Sequence, residues 1–179
     1  MQLSEKQSGV MKGMVSAMIL ALAALSAGAH FLSPIPPVAN PASLRITFAV
    51  VSLVPVALCL MISIGLLARH RFFTPEDIDG SGLTEGTAQA RTLQAVLQNT
   101  LEQSVLAALT YGCFAALAPL SVIGAVQAGA VLFIFGRLLF WKGYANGAAA
   151  RAFGFALTFY PTVLLLIVTG ILVISTNTL

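Results

Sequence analysis

Five stretches of about 20 mostly apolar residues dominate this chain, running approximately from Met14 to Leu32, Ile46 to Ala68, Leu93 to Leu117, Val122 to Trp141 and Ala152 to Ile174. That is the length a helix needs to cross the roughly 30 Å hydrocarbon layer of a bilayer. The runs are continuous and do not alternate with polar residues, so they read as helices and not as strands of a barrel. Charged residues make up only 8% of the 179, and the mean hydropathy is +0.94. Those values exclude a soluble domain with a large core and lead to an all-α fold, an integral membrane helical bundle. The connections are too short to fold independently, the longest being the polar stretch from about Phe72 to Thr87. Any chemistry must sit on the helices and at their ends.

Orientation follows from the positive residues, which collect in short loops on the cytoplasmic side. With the N-terminus inside, Lys6, Lys12, Arg69, Arg71, Arg91, Arg137, Lys142 and Arg151 all lie at the inner face. Of the nine Lys and Arg residues only Arg45 then faces out. The C-terminus ends outside. The outer connections are Ser33 to Arg45, with Pro34, Pro36, Pro37 and Pro41, and a tight corner at Pro119. This topology fits a bacterial inner membrane or the endoplasmic reticulum. The net charge of +3 reflects inner-face arginines suited to headgroups or an anionic ligand. No basic cluster with interleaved aromatics favours nucleic acid.

Several local patterns carry little chemistry. Lys12, the apolar run after it and Ser26, Ala27, Gly28 and Ala29 have the form of a secretory signal; the run is read here as a retained helix, and four spans form the functional unit either way. Cys59 and Cys113 sit singly in apolar spans, where a thiol behaves as a small hydrophobe. His30 and His70 lie at span ends on opposite sides. No metal-ligand spacing and no serine, histidine and acid set is visible. Asp77, Asp79, Ser81 and Gly82 fill the first, third, fifth and sixth places of a calcium loop, but Ala88 stands where the bidentate glutamate belongs. The segment is expected to be a solvated turn.

The stretch ARTLQAVLQNTLEQSVLAAL, from Ala90 to Leu109, places polar and charged groups on a helix that soon becomes apolar. At roughly 100° per residue Arg91, Ala95, Gln98 and Glu102 share one face, with Asn99 at its margin. This stripe is expected to turn from lipid toward another helix or a polar cavity. Asn99 and Glu102 suit either an interhelical hydrogen bond or ion pair, or a ligand site in which the deep carboxylate meets Arg137 or Arg151. The segment GRLLFWKGYANGAAARAFGFALTFYPT then brings Arg137, Tyr144 and Arg151 near the inner interface, with a turn at Asn146, Gly147 and Ala148. Each of these also reads as an interface anchor.

The residues NTLE at Asn99 to Glu102, followed by GRLLF, GY and R-x-x-GF within Gly136 to Phe155, resemble the MAPEG family, membrane-associated proteins in eicosanoid and glutathione metabolism. The resemblance covers about Ile46 to Ile174. It implies a MAPEG-like four-helix domain over 44–179; the N-terminal transmembrane helix and outer proline-rich connection over 1–43 are an addition to the family pattern. It further implies a homotrimer with glutathione as co-substrate between subunits near the cytosolic face. Arg151, seven residues after Tyr144, matches the arginine that stabilises the glutathione thiolate, which attacks a lipophilic electrophile or peroxide. Asn99 and Glu102 match positions that hold glutathione, the glutamate meeting its amino group, and Arg137 matches a basic residue near its carboxylates.

The implied chemistry is physically sound, since the thiolate is the nucleophile and an arginine stays charged and presents several donors. Two positions depart from the family. Ala95 stands where an arginine is usual, so Arg91, about 12 Å along the axis from Asn99, would have to reach inward. Phe140 stands where several family enzymes carry a tyrosine. Two functions are therefore expected: a glutathione transferase or peroxidase for lipophilic electrophiles, or a non-catalytic membrane protein of the same fold that binds lipid or stabilises a partner. A transporter is disfavoured, because the spans lack repetition and paired glycine breaks beside Pro55 and Pro161.

Overall fold

The apolar runs fold as long helices in the computed structural model, which describes residues 4–35, 41–80 and 83–177. These are α1 (Glu5–Phe31), α2 (Pro41–Phe73), α3 (Ala88–Leu117), α4 (Ala125–Tyr144) and α5 (Ala148–Asn177). Short 3₁₀ turns lie at Pro75–Asp77 and Leu120–Val122. Among the described residues there is no strand. The calcium-loop positions Ser81 and Gly82, and Pro36 and Pro37 of the outer connection, lie outside the described residues.

Four helical stretches, Glu5–Phe31, Pro41–Phe73, Leu120–Tyr144 and Ala148–Ser175, are long and apolar enough to cross a membrane. The chain is an integral membrane protein. The expected third span forms a helix of 30 residues, but it is not among the four. Its first sixteen residues carry Arg91, Gln94, Gln98, Asn99, Glu102 and Gln103, which dilute its hydrophobicity.

The helix ends are set by local chemistry. Ser4 Oγ accepts from the Gln7 N–H at 3.3 Å while Gln7 Oε1 accepts from the Ser4 N–H at 2.9 Å, a reciprocal cap that starts α1. Arg45 Nη1 donates to the carbonyls of Ala115 at 2.8 Å and Ala118 at 2.7 Å. The one arginine placed on the opposite side thus closes the C-terminal end of α3, where unpaired carbonyls concentrate negative charge.

The tightest packing is between α4 and α5. A Cβ at Gly154 would collide with the Phe140 backbone nitrogen and sit 2.8 Å from Gly136 O and from the Leu139 carbonyl carbon. Cβ atoms at Gly136 and Gly143 would meet Thr158 Oγ1 and the Ala150 carbonyl. Small residues at a crossing let backbones approach this closely. Helix α1 lies along α5 and α4, with Gly9 against Ala149, Gly13 against Phe153 and Gly28 against Ala128 and Gly124. The N-terminal end of α1 therefore shares one end of the bundle with the α4–α5 turn.

Candidate functional site

The α4–α5 crossing determines what happens to Arg137, which is 0% exposed. Its Nε donates to Thr158 Oγ1 at 3.1 Å and its Nη1 to Asn99 Oδ1 at 2.8 Å. The guanidinium carbon lies 4.5 Å from the centre of the Phe140 ring and 5.9 Å from that of Phe133. Among the described residues its Nη2 has no hydrogen-bond partner, and the ion pair present is His70–Asp77, so no carboxylate neutralises it. Aromatic faces and two neutral acceptors offset part of the cost of burying a cation, and one donor is left over. Phe140, which lacks the hydroxyl of a tyrosine, serves here as that aromatic face.

At its basic end α4 turns directly into α5. Gly147 adopts φ +93°, a conformation that disfavours residues with a Cβ, and the turn expected at Asn146 to Ala148 is present. Helix α4 continues to Tyr144, while Arg151 lies in the first turn of α5. The guanidinium carbon of Arg151 stacks 4.4 Å from the centre of the Tyr144 ring. A permanent cation beside a helix N-terminus, where peptide N–H groups point outward, makes a strongly anion-attracting corner.

Asn99 and Phe140, which hold the Arg137 guanidinium, and the Tyr144–Arg151 pair all border one cavity of about 460 Å³, and Arg137 itself lies behind that lining. Asn99, Tyr144 and Arg151 supply its polar lining, and Phe140, Phe155, Phe159 and Tyr160 much of the apolar remainder. Phe155 and Phe159 stack at 5.6 Å between ring centres, and Phe140 meets Tyr144 edge-on at 5.3 Å. Val10 and Met14 of α1 complete the wall.

The polar stripe expected on α3 splits. Its buried positions include Val96, Thr100, Gln103, Ser104 and Ala107, so Asn99 stands at the margin of the inward face and Glu102 turns outward. Glu102 is exposed, and its Oε1 accepts from Gln98 Nε2 at 2.9 Å; it meets neither Arg137 nor Arg151. Arg91 does not reach inward to replace the missing charge at Ala95. It is exposed and folds back onto the carbonyls of Gly86 at 2.5 Å and Glu85 at 3.5 Å. There it borders a separate cavity of about 380 Å³ that Arg71, Gln94 and Ala95 also line.

Asp77 is not part of a solvated turn. It is buried, at 1% exposure, and staples α2 to α3: Oδ2 accepts from the Thr87 hydroxyl at 2.6 Å and lies 2.8 Å from His70 Nε2, while Oδ1 accepts from the Thr87 N–H at 2.7 Å. Thr87 Oγ1 in turn caps α3 by accepting from the Ala90 N–H at 3.2 Å. The Thr87 hydroxyl most of all, then the Thr87 N–H and His70, hold the Asp77 carboxyl below its ordinary value against the opposing effect of burial. Among the described residues no group of three His, Cys, Asp or Glu side chains is placed to hold a metal ion.

Sequence reasoning gave no site role to Thr158, Phe155, Phe159, Val10 and Met14, and met Phe155 as the last residue of the R-x-x-GF motif. The first three carry a faint signal: Gly154 and Thr158, and Phe155 and Phe159, are spaced four apart and so repeat along faces of α5. Val10 and Met14 carry none, because their role depends on where α1 docks. A sequence model of the MAPEG family matches residues 46–171, well over half of the chain, and leaves α1 outside the match. No curated protein and no solved structure matches this sequence.

Proposed function

Because the chain belongs to the MAPEG family, we propose that it is a membrane-embedded, glutathione-dependent transferase or peroxidase acting on lipophilic electrophiles. The observation that carries this reading is the placement of Arg151, stacked on Tyr144, on the wall of the cavity that Asn99 also lines. A thiol with a pKa of about 8.5 is mostly protonated at neutral pH. A cation within about 4–6 Å favours the thiolate, and arginine supplies that charge without losing its own proton.

Arg151 holds the glutathione sulfur as thiolate at the polar end of the cavity. With an electrophilic carbon, the thiolate forms the carbon–sulfur bond and the leaving group departs with the bonding pair. With a hydroperoxide, the thiolate attacks the terminal oxygen and the oxygen–oxygen bond breaks. The alkoxide takes a proton, for which the Tyr144 hydroxyl is the adjacent donor, and a second glutathione reduces the sulfenic acid to the disulfide. The Asn99 amide suits the glutathione backbone, and Arg137, buried behind it and outside the cavity lining, holds that amide in place through Nη1. Glu102 and Arg91 point away from this cavity in their own subunit, so we assign them to a site shared with a neighbour in a homotrimer, with Glu102 meeting the glutathione amino group. The end bearing Arg151 faces the cytosol of a bacterial cell or of a eukaryotic cell across the endoplasmic reticulum membrane, with the N-terminus inside and the C-terminus outside. The chain divides functionally into 1–43 and 44–179, although α2 itself begins at Pro41.

The test is an ultraviolet difference titration of the purified protein with glutathione, read for thiolate absorbance at neutral pH. A saturable signal is expected in the wild type and its loss in Arg151→Ala; a signal that persists in the variant refutes the role of Arg151. One observation supports a second reading, a non-catalytic member of the fold that binds lipid or stabilises a partner. Asn99 Oδ1 is already engaged by Arg137, as a packing residue would be. Asn99→Ala separates the two: weaker glutathione binding with an intact fold favours the enzyme, and a loosened bundle with no thiolate signal in the wild type favours the structural protein.

A further inference from the structure

We propose that α1, the helix outside the family match, forms the selectivity wall of the apolar co-substrate site, and that Met14 and Val10 set the size of compound it accepts. This rests on the glutathione reading of Arg151 and Tyr144 and adds what stands opposite them.

The helix is fixed in place. A Cβ at Gly9 would lie 2.9 Å from the Ala149 side chain, and one at Gly13 would lie 3.0 Å from the Phe153 backbone nitrogen. Ala17 and Ala21, both 0% exposed, pack in one cluster with Leu132, Ala156 and Leu157. At the far end the Gly124 N–H donates to Ser33 Oγ at 2.9 Å. Small residues thus seat α1 directly on α4 and α5, making it a rigid wall.

Val10 and Met14 follow the two seating glycines by one residue each. Four residues apart, they share a face of α1 and line the cavity that holds Phe155 and Phe159. The same two side chains also line a second cavity of about 360 Å³ toward Lys6 and Met11. Met14, 36% exposed, and Val10 therefore stand, with Ala148, between two apolar spaces. The first, at about 460 Å³, lies in the lower half of the range usual for small-molecule sites. Stacked rings on one side and a thioether on the other suit a flat aromatic or compact unsaturated electrophile, its reactive atom at the Arg151 end. Shortening Met14 joins the two spaces and admits larger compounds, and enlarging it excludes all but small ones.

The experiment combines three readouts on the full chain in detergent. Thiolate absorbance with glutathione alone reports the Arg151 site. The ratio of kcat/KM for a bulky to a small aromatic electrophile is then compared among wild type, Met14→Ala and Met14→Trp. Thermal melting confirms that each variant is folded. Finally, benzophenone-4-carboxylate is photo-crosslinked to the wild type and the labelled residue located by mass spectrometry, since excited benzophenone inserts readily at methionine side chains. The expected result is a selectivity ratio that rises in Met14→Ala and falls in Met14→Trp, each on the order of tenfold, with thiolate absorbance retained and the label on Met14 or Val10. Retained thiolate with an unmoved ratio overturns the selectivity wall and leaves the glutathione reading standing. Absent thiolate in the wild type overturns the glutathione reading, and the crosslink then decides the wall: a label on α1 supports it and a label elsewhere rejects it.

Discussion

Gly154→Ala tests the packing on which the site depends. The three atoms nearest the added methyl are all backbone: the Phe140 nitrogen, Gly136 O and the Leu139 carbonyl carbon, all closer than 3.0 Å. No flexible side chain can move aside, so α4 and α5 must separate. Overpacking of a tight core costs about 1–3 kcal/mol, and an all-backbone obstruction belongs at the upper end. For a chain of this size each kcal/mol moves Tm by about 2–4 °C, which gives an expected fall of about 6–12 °C. The same movement pulls Thr158, one turn beyond Gly154, from Arg137 Nε, so thiolate formation with glutathione should weaken too. Trp141 is the single tryptophan and sits on α4 with its Nε1 3.4 Å from Thr100 Oγ1 on α3, so its emission during heating in detergent reports the melt. Gly65→Ala is the matched control: nothing lies within 4 Å of a Cβ there, and helix propensity favours alanine by about 1 kcal/mol. Equal melting temperatures for Gly154→Ala and wild type would refute the claim that backbone proximity at this crossing builds the site.

Arg45→Ala should lower stability by about 1–2 kcal/mol, since it strands two carbonyls at the end of α3, and Arg45→Lys should recover part of the loss; denaturation of both variants checks this. The Asp77 staple sets a pH dependence at the α2–α3 turn. Because the folded carboxyl titrates below its ordinary value, its stabilisation is fully present above the ordinary carboxylate range and is lost as pH falls through the lowered folded value. Proteolytic nicking between Asp77 and Thr87, compared at a common pH above that range, should be faster in Asp77→Asn than in wild type, and equal rates would remove the staple from the account. The Arg151→Ala loss of thiolate absorbance remains the direct test of the chemistry.

How much of this was legible in the sequence differs from residue to residue. The turn at Gly147 could be read because it depends on local chemistry, a glycine free to take positive φ, whereas α4 runs on to Tyr144, three residues past the Trp141 at which its apolar run ends. Glu102 could not. Its orientation depends on which face of α3 the neighbouring helices cover, and about 60° separates it from Asn99 around the axis. Asp77 was likewise hidden, because a calcium-like spacing and a helix staple use the same carboxylate, and only the approach of His70 and Thr87 chooses between them.

The sequence by itself determined that this is a membrane protein of long helices, with its positive charges gathered at one end and the MAPEG motifs in order, because hydrophobic run length and charge placement act along the chain. Tertiary structure alone decided that Arg137 is buried without a carboxylate, that Arg151 lies against Tyr144 beside an aromatic cavity, and that α1 closes that cavity with Val10 and Met14. Those outcomes turn on ångström-scale approach between different helices, permitted by Gly136, Gly143 and Gly154 at the α4–α5 crossing and by Gly9 and Gly13 on α1, and no periodicity within a single helix encodes such a distance.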